Sequence, residues 1–277
     1  MKAARYRFQL GTPLATSANQ TYRPLLFDGI LGYAWAVQQG LFKNPGEERI
    51  ERLQFPDLPV AQIVDRCYAA SAAFLPGEAY LEPSMLIRHA DWKNAVNRHR
   101  IGNIVYQVSS GWTQAVQEIY WLTVTPHLDF YVRGEMGAIN NLLNIIWDIR
   151  HLGSKRGSGY GLITDIRIDE AAEDFAVWRE GEPTRPIPVT AAGEREDLIR
   201  EWTTYYPPYW QGANAAWCYV PPVRQYLPQT ALESGDTVTE YCRNVLTDYQ
   251  AMTARIEKGR RDQDRKTQSK RSRGGSG

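Results

Sequence analysis

Cysteine is scarce. Cys67, Cys218 and Cys242 are the only three in 277 residues, and no Cys-x-x-Cys pair occurs. Neither a disulfide framework nor a zinc ribbon is supported, and the thiols read as small buried hydrophobes. Long apolar runs are missing as well: no eighteen-residue apolar stretch exists, and the N-terminal Met-Lys-Ala-Ala-Arg-Tyr-Arg-Phe lacks the apolar core of a secretory signal. Both absences point to a cytoplasmic protein without membrane contact. Four histidines are spread along the chain with no His-Glu-x-x-His, and neither Gly-x-Ser-x-Gly nor a paired-aspartate arrangement is found. Zincins, esterases and metal nucleases are thereby disfavoured, and no metal or cofactor is expected.

What is present is material for a core. Hydrophobic residues make up 43% and aromatics 12% of the chain, enough for one large domain or two small ones. The net charge of +1 conceals an asymmetry. Residues 258–273 hold eight Lys/Arg against two Asp/Glu and no apolar residue, which leaves residues 1–257 at −5. Such a tail reads as disordered, either solubilising or adding sequence-independent attraction to nucleic acid. The closing Gly-Gly-Ser-Gly stays outside the fold argument.

Along the chain, residues 4–10 alternate as a half-buried strand, with Tyr6, Phe8 and Leu10 on one face. Asp28 can cap a helix in which Ile30, Leu31, Ala34, Val37 and Leu41 recur at helical spacing, with Gly40 near its end. Residues 118–125 and 128–134 are β-rich runs separated by Pro126-His127, which suggests a hairpin. From 138 to 150, Ile139, Leu142, Leu143, Ile146 and Ile149 mark a second amphipathic helix, and residues 162–168 a closing strand. The order β-α-β-β-α-β predicts an α+β, modified ferredoxin-like domain over residues 1–175, with an insertion at about 42–117. Inside the insertion, 84–100 reads as a basic helix and 103–109 as a strand. Prolines then punctuate aromatic segments, so residues 176–257 are expected as an extension packed on the core, with a helix near 234–258.

The chemistry-bearing feature is the stretch 152–161, Leu-Gly-Ser-Lys-Arg-Gly-Ser-Gly-Tyr-Gly, which follows a helix and enters a strand. A P-loop or a dinucleotide fingerprint would lie between a strand and the helix after it, so Rossmann-type nucleotide chemistry is disfavoured. Lys155, Arg156 and Tyr160 bring two cations and an aromatic ring to one turn, and Gly153, Gly157 and Gly159 would let phosphates reach main-chain donors such as that of Ser154. Arg150 and His151 could approach from the helix end. His151 equally suits a helix C-terminus for the dipole alone, and the glycines equally suit tight helix–strand packing.

Three stretches together resemble the RAMP superfamily of CRISPR-associated proteins. They are Pro-Leu-Leu-Phe-Asp-Gly-Ile-Leu-Gly-Tyr-Ala at 24–34, Leu-Asp-Phe-Tyr-Val-Arg-Gly at 128–134, and 152–161 followed by Arg-Pro-Ile-Pro at 185–188. Within that superfamily the chain is similar to the subunit of type IV effector complexes that caps the CRISPR RNA 5′ handle. The resemblance implies a guide-RNA site at Arg150, His151, Gly153, Ser154, Lys155, Arg156, Gly157, Gly159, Tyr160 and Arg185. Its partners would be CRISPR RNA and the backbone and large subunits of an effector complex, with target DNA a further candidate. Arg88, Lys93, Arg98 and Arg100 would contact a nucleic-acid backbone or form a solvated face.

No catalytic residue is expected. Metal-independent RNA cleavage needs a base, an acid and a cation, yet His89 and His99 lie roughly 80° apart around a helix, which implies no shared site. A guide-processing endoribonuclease using His89, His99 or His151 is the enzymatic alternative, and a protein scaffold without RNA contact is the third. The aromatics of 202–217 read as core and interface, with base stacking the sharper reading.

Overall fold

The computed structural model describes residues 1–17, 24–41, 57–64, 66–88, 116–170, 173–209 and 211–226. In chain order the elements are β1 (Lys2–Leu10), β2 (Leu14–Ser17), α1 (Phe27–Gln38), β3 (Gln62–Val64), β4 (Cys67–Tyr68), β5 (Tyr80–Arg88), β6 (Val116–Val124), β7 (His127–Gly134), α2 (Met136–Ile149), β8 (Ile163–Asp169), β9 (Trp178–Arg179), β10 (Glu182–Pro183), β11 (Ile187–Pro188), α3 (Val189–Ala192), β12 (Arg200–Thr204), β13 (Ala215–Tyr219) and α4 (Val223–Tyr226). Among the described residues the result is an α+β fold of small antiparallel sheets with two substantial helices.

Alternation in β1 builds the centre. Ala4, Tyr6 and Phe8 turn inward, while Arg5 and Arg7 face outward. β1 lies between β7 and β8, antiparallel to both, with Phe8 opposite Leu128 on one side and Ile166 on the other. Leu10 is only partly buried, because the register with β8 shifts after Gln9. α1 and α2 cover the inner face. Phe27 packs tilted on Tyr6 (5.1 Å) and Phe130 (5.4 Å), and Phe8 meets Phe130 edge to face at 5.5 Å. Ile139, Leu142, Leu143 and Ile146 close the same core from α2, as their helical spacing requires. On the outer face Arg7 grips Asp129, its opposite in the ladder, with two 2.7 Å hydrogen bonds.

α1 ends as its sequence dictates. Gly40, at φ 72°, donates to Val37 O and Leu41 donates to Ala36 O, the paired bonds of a Schellman motif. Its start differs from expectation: Leu26 is the N-cap and Asp28 lies inside the first turn. The hairpin expected between 118–125 and 128–134 is not formed. β6 pairs with β2 and β5 in a second sheet, and β7 pairs with β1 in the first. The far edge of β7 is taken by residues 69–74, where Ser71 N donates to Tyr131 O (2.8 Å) and Phe74 N to Asp129 O (2.8 Å). Residues 84–88, expected to open a helix, are strand within β5. Lys93, Arg98, Arg100, His89, His99, the 103–109 strand, the 234–258 helix and the basic tail lie outside the described residues.

A third sheet, β11-β13-β12, is built by the region beyond 173. Cys218, on β13, is fully buried, and burial first and its neighbour Cys67 second push its thiol up to about 12. The folded chain therefore keeps this proton at pH values where an unfolded thiol, near 8.5, has lost it. Its contribution to stability is complete below the unfolded value and is lost as pH climbs from there toward 12. The melting temperature is expected to fall between about pH 8.5 and 11, and to fall less in Cys218→Ala. Calorimetric melts across that range test it; identical alkaline limbs in the two proteins contradict the assignment.

Candidate nucleic-acid interface

The glycine-rich turn starts where α2 stops. Arg150 takes the left-handed conformation (φ 59°) that closes the helix, and the chain then doubles back on itself. Ile163 N donates to Arg150 O (2.8 Å), and Leu152 N to Gly161 O (2.9 Å). At the tip is a 3-10 turn, Arg156–Ser158, flanked by left-handed Lys155 (φ 57°) and Gly159 (φ 84°).

A second stretch of chain, residues 11–15, which joins β1 to β2 and includes the start of β2, holds this turn from the side. Gly161 N donates to Pro13 O (2.8 Å), and both the amide and the hydroxyl of Ser154 donate to Ala15 O (2.9 and 2.8 Å). Thr12 Oγ1 donates to Gly159 O (2.8 Å) and accepts from Leu162 N (2.9 Å). The glycines consequently divide into two kinds. A Cβ on Gly153 would lie 2.6 Å from Leu14 Cδ1 and 2.8 Å from Ala15 O, and one on Gly161 would lie 2.1 Å from Leu152 O. These two serve packing. A Cβ on Gly157 or Gly159 would meet nothing within 4 Å, so that side of the tip is open to a ligand's close approach.

Three elements bring side chains to the turn. The Arg156 guanidinium lies 4.3 Å from the ring centroid of Tyr33 on α1, and Lys155 Nζ lies 5.9 Å from that of Tyr120 on β6. Tyr120 donates its hydroxyl to that of Tyr160 (3.1 Å), with the two rings edge to face at 5.6 Å, and Ser84 on β5 donates to Tyr120 (3.3 Å). Arg150 lies over Trp147 at 5.1 Å. Tyr120 itself is buried, so the cations lie beside the partly buried rings of Tyr33 and Tyr160, on a surface supported by α1, the second sheet and the turn itself. Sequence reading found the turn but not Tyr33, Tyr120 or Thr12. Tyr33 lies within the stretch 24–34, whereas Tyr120 carries no local signal.

His151 places Nδ1 3.1 Å from Ile149 O, a contact to its own helix end. Arg88 is the last residue of β5, away from the helix expected for it.

Arg185, which the resemblance puts at the RNA site, lies in the interior instead. It is fully buried and cannot meet RNA. Its guanidinium pairs with Asp28 at 3.0 Å, both side chains 0% exposed, and donates to the carbonyls of Tyr68, Ala70 (3.1 Å) and Tyr205 and to Tyr209 Oη (3.2 Å). Tyr209 in turn donates to Asp28 at 2.7 and 2.8 Å. Burial works against the charge on Arg185, and Asp28 more than reverses it, holding the guanidinium protonated. Burial and then Asp28 push the Tyr209 phenol well above its ordinary value. A lone Asp in the apolar run Leu-Leu-Phe-Asp-Gly-Ile-Leu and an Arg flanked by Thr and Pro were the available signals of an interior pair.

The family model described as CRISPR type IV associated protein Csf3 matches residues 2–221. No curated protein matches the chain. Among solved structures, a chain of the cryo-EM structure of the Type III-B Cmr-beta bound to cognate target RNA is similar at 13% identity and a TM-score of 0.32. That match covers 62% of each chain, so this chain spans about three fifths of its neighbour's length.

Two substitution sets separate scaffold from surface. Arg185→Ala is expected to cost about 3–5 kcal/mol by stranding Asp28, with much of it restored in Asp28→Leu/Arg185→Met. Urea unfolding reads this, and an Arg185→Ala curve matching the parent would refute it. Gly161→Ala is expected to destabilise, while Gly157→Ala stays within about 0.5 kcal/mol; equal midpoints for the two would contradict the division of the glycines.

Proposed function

The chain belongs to the Csf3 family of type IV CRISPR-associated proteins, and on that premise we propose that it is the effector-complex subunit that holds the 5′ handle of the CRISPR RNA. The observation that carries this reading is the clamped turn with Lys155, Arg156 and Tyr160 beside Tyr33, underlain by the buried Tyr120. Single-stranded RNA is held by cations on its phosphates and by aromatic rings under its bases, and this turn offers both within one surface. The succession of left-handed Lys155 and the 3-10 turn after it is the kind of backbone alternation from which anion-binding nests are built. Gly157 and Gly159 keep the approach clear of side chains.

In this role the subunit binds without cleaving and terminates the row of backbone subunits, and base pairing by the guide supplies target specificity. It works in the cytoplasm. Among the described residues no helix is long and apolar enough to cross a membrane. Arg150 and His151 border the site, and Arg185 supports it from within by fixing α1, which carries Tyr33.

Lys155→Ala with Arg156→Ala is expected to weaken handle-RNA binding at least tenfold and to lower the log–log salt slope by about 1.4, at about 0.7 per phosphate contact. Filter binding over a salt series, with a thermal melt as the control for folding, gives both quantities. Unchanged affinity in a folded variant would remove the site from this turn. Incubating the parent with repeat RNA in EDTA tests the absence of cleavage, since discrete products would identify an endoribonuclease instead.

A further inference from the structure

The third sheet carries two tryptophans on its surface. Trp202 of β12 and Trp217 of β13 stand opposite each other in the ladder, with rings edge to face 6.0 Å apart, and they are 62% and 58% exposed. Two large rings left side by side in water mark a contact surface.

The surroundings select the partner. Two residues further along the same face, Arg200 stands opposite Tyr219. The Tyr219 hydroxyl donates to Gly193 O (3.0 Å) and accepts from Arg195 N, so residues 193–197 form a rim to this face. Both arginines there are engaged. Arg195 makes a bidentate pair with Asp197 (2.9 and 2.7 Å), and Arg200 donates to Arg195 O while lying over the Tyr219 ring at 5.5 Å. Glu194 and Glu196 are exposed and have no ion pair among the described residues. The rim therefore offers negative charge beside aromatic faces, a setting for cations rather than phosphates.

The chain contains a segment of matching chemistry. Residues 258–273 carry eight Lys/Arg, two Asp/Glu and no apolar side chain. The route to the face is short. α4, the last described element, shares a cavity of about 330 Å³ with Asp197, Leu198 and Ile199 through Val223 and Arg224. The 31 residues between Tyr226 and Lys258 reach at most roughly 3.3–3.6 Å each, and about 1.5 Å each over the helix expected near 234–258, in either case more than that separation demands.

We propose that the Trp202–Trp217 face is the docking site of the chain's own basic segment 258–273, with Lys and Arg side chains on the indoles and the rim carboxylates of Glu194 and Glu196 as their counter-charges. A segment held there is withheld from phosphates, so nucleic acid must compete for it.

The full-length chain labelled with 5-fluorotryptophan tests this, the two resonances being assigned from Trp202→Phe and Trp217→Phe. Changing all eight Lys/Arg of 258–273 to Gln is expected to shift those two of the nine tryptophan signals and leave the others in place. A synthetic 258–273 peptide added to that variant is expected to restore them. Salt at about 0.5 M, where screening acts within a few ångström, is expected to undo the restoration. Glu194→Gln with Glu196→Gln is expected to weaken the peptide at least about threefold. Signals indifferent to the tail substitutions overturn the proposal. So does movement caused by oligouridylate and not by the peptide, which makes the face a base-stacking platform. A shift in the parent that depends on protein concentration also overturns it, assigning the face to a second copy's tail.

Discussion

A charge taken out of water must find its whole solvation shell in protein, and the Asp28–Arg185 pair imposes that demand on three distant parts of the chain at once. Arg185 draws on the carbonyls of Tyr68, Ala70 and Tyr205, and Asp28 on Tyr209 and on the first turn of α1. No one of these segments can move without leaving a polar group dry, so the helix start, the irregular edge beside β7 and the region beyond 173 are fixed in mutual register. Tyr209 also packs where a Cβ on Gly29 would come within 3.2 Å, so the helix must present glycine there to admit the phenol.

Position within this frame explains the candidate site. α1 is anchored at its start by Asp28 and delivers Tyr33 toward its end. β6 belongs to the second sheet and delivers Tyr120, while β1 and β2, joined through residues 11–13, hold the turn between the two sheets. The surface is thus assembled from elements whose own cores are elsewhere, and each contributes one ring or one backbone contact.

Local patterns in the sequence determine much of this and leave specific parts undetermined. The alternation of β1 and the helical spacing of Ile139, Leu142, Leu143 and Ile146 read correctly, because each reports a single buried face. The strand character of β6 was equally legible, but a period of two says nothing about which neighbour a strand pairs with, and Pro126 between two β runs is compatible with a crossing from one sheet to another. The edge partner of β7 was invisible for a different reason. Ala-Ala-Ser-Ala-Ala at 69–73 has little strand propensity, and it pairs there because small side chains fit against the sheet edge. Arg185 was placed at the RNA site through its part in a stretch shared with a nucleic-acid-binding family, and only its distant partner Asp28 reveals that it is interior. The turn itself read well, yet its four φ-positive or open glycines looked alike until their neighbours were known.

Attachment of the turn to both sheets has an entropic meaning. A flexible loop must surrender its conformational freedom when a ligand arrives, at the expense of affinity. Here the hydroxyl of Thr12, which donates to Gly159 O, and the carbonyls of Pro13 and Ala15, which accept from Gly161 and Ser154, fix the backbone before anything binds. The surface is preorganised, so the binding free energy of whatever it receives is spent on contact with that ligand and not on ordering the receptor.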